Sequence, residues 1–253
     1  EPEAVDNWTN MIGKLRAFLE KTFNAETNDE TIEAAIRESN IKARLMNRIF
    51  DYCALTPPVM GWQDLYDILF LGQVATGGEM KELLENIIAK LAERKGSGYF
   101  YGKPGAPRVL VSGCPIGGDS TKVLSIIEEA GGVVVALEAC SGMKVYLDEI
   151  EEGTGNPMRA IAARYLKIPC SCMTPNERRL EQLDCAIERF RPDAVIDVIL
   201  HACHSYNVES YKVGADVQKR HGLPFLKIET DYSMSDVGQI RTRIDALLET
   251  CRN

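Results

Sequence analysis

Apolar residues recur at spacings of three and four through the first third of the chain. Trp8, Ile12, Leu15, Leu19 and Phe23 form one series, and Ile32, Ile36, Ile41, Leu45, Ile49 and Phe50 a second. Each series predicts an amphipathic helix. "NDET" offers Asn28 or Asp29 as N-cap of the second helix, and Pro57-Pro58 stops it, because proline lacks the amide donor and clashes with the preceding turn. Two shorter helices are expected at 63–71 and 78–92. No side chain here points to catalysis, so packing or partner docking is the expected role.

Residues 93–108, "ERKGSGYFYGKPGAPR", are dense in Gly, Pro and Lys and read as a linker. The period then changes. Short apolar runs at 108–113, 133–138, 168–173, 194–200 and 224–229 alternate with helical patterns at 121–130, 157–166, 176–190, 209–221 and 237–250. Near-continuous apolar strands separated by helices predict an α/β domain: a doubly wound, five-stranded parallel sheet covered on both faces. The expected division is a helical segment over 1–99 and an α/β domain over 100–253.

Composition narrows the classes. A chain of 253 residues with 45% hydrophobic content can bury a sizeable core. A formal net charge of −8 without a basic stretch argues against nucleic acid or an anionic membrane as partner. No run of about 18 apolar residues and no signal-peptide pattern occurs, so a cytoplasmic protein is expected. The chain starts at Glu1 without a methionine, as a portion of a longer protein would.

In a parallel sheet of this kind, functional groups collect beyond the carboxyl ends of the strands, where strand order reverses. Those exits read "SGCPIGGDS", "EACSGMK", "CSCMTPN", "HACHSYN" and "ETDYSMSD", and four of the five carry cysteine. Of the eight cysteines, Cys53, Cys185 and Cys251 fall in helical patterns and read as small packing residues. Cys114, Cys140, Cys170, Cys172 and Cys203 could instead serve a metal or iron-sulfur cluster, act as redox or nucleophilic thiols, or simply pack. Spacing alone leaves these three readings open. "GCPIGGDSTK" reads either as an anion-receiving turn opening a helix or as an ordinary capped β-α turn. Glu229, Asp231 and Asp236 are candidates for a cation site or acid-base pair, and equally for turn and cap residues. His201 and His204 flank Cys203 as possible ligands, proton donors or partners of cluster sulfur, whereas His221 reads as a surface residue at a helix end.

Taken together, "RVLVSGCPIGGDSTKVLSIIEEAGGVVVALEACSGMK", "YLKIPCSCMTPNERRLEQL", "IDVILHACHSYNVESY" and "GLPFLKIETDYSMSDVGQIRTRIDALLE" resemble the C-terminal domain of the 2-hydroxyacyl-CoA dehydratase and benzoyl-CoA reductase family. The likeness is greatest to its double-cubane cluster protein branch and extends through the helical segment. It implies a flavodoxin-like domain of an oxygen-sensitive iron-sulfur reductase holding a [4Fe-4S]-type cluster. In the double-cubane branch, two copies form a homodimer whose cubanes join as an [8Fe-9S] centre. A separate ATP-dependent activator iron-sulfur protein supplies low-potential electrons, and the substrate is a small molecule. The dehydratase branch uses such electrons to dehydrate a 2-hydroxyacyl-CoA, and a non-catalytic electron-relay or binding subunit is a third expectation. The family's C-terminal cluster ligand falls on Cys203. His201, His204 and Tyr206 become the catalytic candidates around it, and Gly113, Cys114, Gly117, Gly118 and Cys140 the cofactor-facing ones. The family's remaining ligands lie in an N-terminal α/β domain for which this chain shows no counterpart.

Overall fold

The computed structural model describes residues 2–75 and 77–252. Four helices come first: α1 (Pro2–Phe23), α2 (Asp29–Ala54), α3 (Trp62–Val74) and α4 (Gly77–Gly96). Asn28 is the N-cap of α2; its side chain accepts from the Thr31 amide at 2.9 Å while the Thr31 hydroxyl accepts from the Asn28 amide at 3.1 Å. This reciprocal pair satisfies two amides that the first turn leaves unpaired. Ile36, Leu45, Met46, Ile49 and Phe50 line the buried face of α2.

The α/β part contains β1 (Arg108–Gly113), α5 (Lys122–Glu129), β2 (Val133–Ala139), α6 (Pro157–Tyr165), α7 (Glu177–Phe190), β3 (Ala194–Leu200), α8 (His204–Arg220), β4 (Phe225–Thr230) and α9 (Val237–Thr250). Its sheet is parallel throughout, in the order β2-β1-β3-β4. The chain leaves β1 toward β2 and returns to place β3 on the other side of β1, so strand order reverses between β1 and β3. Every residue of β1 and β2, and all but the last of β3, is buried. Both faces are therefore covered, as the apolar runs demand.

The sheet has four strands, not the five expected. Residues 168–173 form turns instead, with the Cys170 amide donating to the Ile168 carbonyl at 2.8 Å and the Met173 amide to the Cys170 carbonyl at 2.9 Å. Pro169 has no amide for a ladder, and Ser171 and Cys172 offer little apolar surface to bury. A second difference is that α8 begins at His204, five residues earlier than its periodicity suggests, directly after a sharp turn at Ala202.

The helical segment and the sheet share one continuous core, in which Met46, Phe50, Leu69 and Leu84 join Leu110, Val135 and Ile196. Arg108 ties the two parts together at the sheet's amino edge. Its guanidinium, only 7% exposed with its residue, donates to the carbonyls of Cys53 and Leu55 at the end of α2 and to Phe190 and Arg191 at the end of α7. A cation is favourable there because helix C-termini present unpaired carbonyls and the negative end of the helix dipole. Within the linker, Tyr101 is anchored by its hydroxyl, which donates to Glu128 at 2.6 Å.

Candidate functional site

The reversal point brings the β1 and β3 exits side by side at the carboxyl edge, with the β2 exit adjoining β1. At the end of β1, Gly113 adopts φ +116, and a Cβ there would lie 2.1 Å from the Val198 carbonyl oxygen. Only glycine lets β1 approach β3 so closely. Past the end of β3, Ala202 occupies the left-handed region at φ 65, which a non-glycine residue adopts at a cost of about 1 kcal/mol or more. That turn sets Cys203 at the N-cap of the seventeen-residue helix α8, whose amino end favours negative charge.

Cys114, Ile199 and Tyr206 form a small apolar cluster separate from the main core, with Cys140, Leu200 and Cys203 packed against it. Three of the sequence-predicted thiols are thus brought together. Cys114 is 1% exposed; its Sγ accepts from the Leu200 amide at 3.4 Å, and the Cys203 thiol is in hydrogen-bonding reach. Burial, with the Cys203 thiol adding to it, pushes the Cys114 thiol up to about 12. Cys140 and Cys203 are partly exposed. The Cys140 Sγ lies 3.2 Å from the Tyr206 hydroxyl. Tyr206 is buried, and burial followed by Cys140 holds its phenol far above the ordinary range, so the hydroxyl keeps its proton and is able to donate to the sulfur.

Beneath this thiol patch lies a buried charged layer that the residue pattern did not reveal. Strand register places Glu138, Ser112, Asp197 and Lys227 in one row across all four strands. The Ser112 hydroxyl donates to Glu138 at 2.6 Å. Lys144 pairs with Glu138 at 2.7 Å, both almost wholly buried. From α7, Arg179 reaches Asp197 at 3.3 Å and Glu209 of α8 at 2.7 Å. The guanidinium of Arg179 also sits 4.8 Å from the centre of the Tyr206 ring, with the Lys144 ammonium at 5.8 Å. Two buried cations therefore flank the aromatic ring whose hydroxyl meets Cys140. Burial raises the Asp197 carboxyl above its usual range, and Arg179 opposes that shift.

The other predicted residues divide. Gly117 and Gly118 form the turn after β1, Gly118 at φ +52. Two amides of this turn are already engaged, Ile116 with the Ser141 hydroxyl and Gly117 with the Ser120 hydroxyl. Cys170 and Cys172 stand near Lys144 and Cys140, respectively. Burial works against ionisation of Cys170, yet hydrogen bonds from Cys172 and the charge of Lys144 leave its thiol below the usual value. His201 and His204 are exposed, and His201 lies 3.6 Å from Asp231 on the β4 exit. Asp231 and Asp236 act as turn residues: Asp231 accepts from the Ser233 amide, and Asp236 pairs with Lys122 and accepts from Thr230. His221 stands at the helix end, as expected, as the C-cap of α8; it is half-buried rather than open, and bonds Asp184 at 2.7 Å. Among the described residues no helix is long and apolar enough to cross a membrane.

The sequence also matches known proteins. Residues 1–251 match the family described as 2-hydroxyglutaryl-CoA dehydratase, D-component. The chain is 37% identical over 244 residues to YjiM of Escherichia coli (strain K12), provisionally named a dehydratase subunit, covering 96% of this chain and 63% of that one. It is 26% identical over 238 residues to the (R)-phenyllactyl-CoA dehydratase beta subunit of Clostridium sporogenes, covering 92% and 60%. The chain thus spans about three fifths of the length of these relatives.

Proposed function

The chain belongs to the family of the 2-hydroxyglutaryl-CoA dehydratase D-component, and from that premise we propose that it is the cluster-holding portion of an iron-sulfur enzyme that dehydrates a 2-hydroxyacyl-CoA. The observation that carries this reading is the convergence of Cys114, Cys140 and Cys203 at the strand-order reversal. Soft thiol donors in an apolar patch beside a helix amino end suit a [4Fe-4S]-type cluster. Cys203 is the proposed ligand, with Cys140 beside it. When bound, the cluster supplies low-potential electrons, delivered by an ATP-dependent activator iron-sulfur protein.

The chain's own residues do the positioning. The Ala202 turn fixes Cys203, the Tyr206 hydroxyl donates to Cys140, and buried Lys144 and Arg179 offset negative charge at the thiol patch. Ile199 and Leu200 keep water from its inner side. His201 and His204, open to solvent at the same edge, are placed to hold or move protons there.

The likeness of the strand-exit motifs to the double-cubane branch favours a second reading: a homodimer with an [8Fe-9S] centre that reduces small molecules. Both readings share Cys203. Anaerobically purified full-length protein, given activator and ATP, should dehydrate a 2-hydroxyacyl-CoA; reduction of acetylene or hydrazine without dehydration would instead support the second reading. Cys203→Ala should lose most bound iron and sulfide, and an unchanged iron-to-protein ratio would sink both.

A further inference from the structure

Helices α7 and α8 are also joined by Asp184 and Asp216 together with His221, the C-cap of α8. The ligand atoms of these three side chains all lie within 4.8 Å of one another, and no other such trio of His, Cys, Asp or Glu occurs among the described residues. We propose that Asp184, Asp216 and His221 form a binding site for one divalent transition-metal cation that clamps α7 to α8.

The donor set is one imidazole nitrogen and carboxylate oxygens, a combination that suits Mn²⁺ or Zn²⁺ and leaves open positions for water. All three side chains are largely withdrawn from solvent, at 16%, 11% and 17% exposure in chain order. One oxygen of this set points to a missing ligand: Asp216 Oδ2 is shielded from solvent and has no hydrogen-bond partner. A buried carboxylate oxygen without a donor is costly, and a cation satisfies it.

Arg220 bears on the same carboxylates. Its Nη1 lies 2.6 Å from Asp184 Oδ2 and 3.3 Å from Asp216 Oδ1, but its side chain is 57% exposed and free to swing outward. With a neutral imidazole, two carboxylates and one guanidinium leave a net charge of −1. A dication therefore displaces Arg220 into water and meets both carboxylates at closer range than the guanidinium does. The same two helices carry Arg179 and Glu209, so the clamp braces the layer under the thiol patch.

Mn²⁺ is the probe of choice because thiols bind it poorly and the cysteines do not compete. Titration of the chelator-treated, cluster-free chain, followed by the electron paramagnetic resonance signal of free Mn²⁺, should show one ion bound per chain. Asp184→Asn and His221→Ala should lose that binding while retaining the wild-type circular dichroism spectrum. Arg220→Met, which removes the competing cation, should bind about threefold tighter or more. This gain cannot come from misfolding. Wild-type chain that leaves Mn²⁺ free, binding that survives both ligand variants, or unchanged affinity in Arg220→Met would each overturn the proposal.

Discussion

Replacing Arg179 with Met tests whether the charged layer is held by that one guanidinium. The substitution keeps most of the side chain's volume and its packing on Tyr206 but removes the cation. Asp197, fully buried, then loses its partner at 3.3 Å, while Glu209, at 17% exposure, recovers water in part. Coulomb attraction at 3.3 Å in an effective dielectric of about 20 is roughly 5 kcal/mol, and removing one partner of a buried pair typically costs about 3–5 kcal/mol. A loss of about 4 kcal/mol near neutral pH is therefore expected, a large part of an ordinary domain's stability. The pH dependence has a definite sign. Burial already raises the Asp197 carboxyl, and removing Arg179 raises it further. An acid with a raised folded-state pKa binds more protons folded than unfolded, so its cost is absent below the unfolded value and grows as pH rises toward the folded one. Urea unfolding midpoints should therefore show a smaller deficit at about pH 5.5 than at about pH 7.5. The double variant Arg179→Met, Asp197→Asn should recover about half the loss, because the uncompensated charge is gone. A deficit below about 1 kcal/mol at the higher pH, or no recovery in the double variant, would refute the reasoning.

Three further outcomes follow from local geometry. Gly113→Ala should destabilise by more than about 3 kcal/mol or fail to yield soluble protein, since its Cβ meets the Val198 carbonyl at 2.1 Å, whereas Gly118→Ala, with open space around it, should cost only about 1–2 kcal/mol; comparable melting temperatures for the two would contradict this. In the folded cluster-free chain at about pH 8, iodoacetamide mapped by mass spectrometry should reach exposed Cys172 and Cys185 first and buried Cys53 and Cys114 last. The latter two thiols are both pushed up to about 12 by burial, so the sign of the effect is to leave them protonated; modification of Cys114 as fast as Cys172 would show that the patch is open. Arg108→Met should lower stability by about 3 kcal/mol or more in urea melts, because carbonyls ending α2 and α7 lose their donor; a loss within about 0.5 kcal/mol would mean that water replaces the guanidinium.

Much of the fold was legible because each element had an unambiguous period and stop. Asn28 and Pro57-Pro58 bounded α2, and the runs at 108–113, 133–138, 194–200 and 224–229 are the four strands to within one residue at each end. The fifth strand was misread because Ile168, Cys170 and Met173 suggested an apolar run, while Pro169 had already removed a ladder donor. Within the site, cysteine placement at strand exits was readable, since carboxyl ends of parallel strands meet at one edge whatever the details of register. The depth of each cysteine was not, because Cys114 and Cys140 follow similar apolar runs yet one is sealed and the other half open.

The charged layer was hidden for a different reason, and it bears most directly on how the site is held. Glu138 in "VVVALEA" and Asp197 in "AVIDVIL" are single acids in otherwise apolar strands, a visible signal that each requires a buried partner. Which cation answers them depends on phase. Arg178 and Arg179 are adjacent in sequence, but Arg178 pairs with Asp148 while partly exposed and Arg179 turns inward to Asp197. Only the register that sets Glu138, Ser112 and Asp197 in one row fixes where the inward cations must lie. That row stands just before the ends of β1 and β2, so the cations that neutralise it also lie under Tyr206 and its bond to Cys140. The residues that stabilise the end of the sheet and those that shape the thiol patch are therefore one network, and a change at Arg179 should be felt at both.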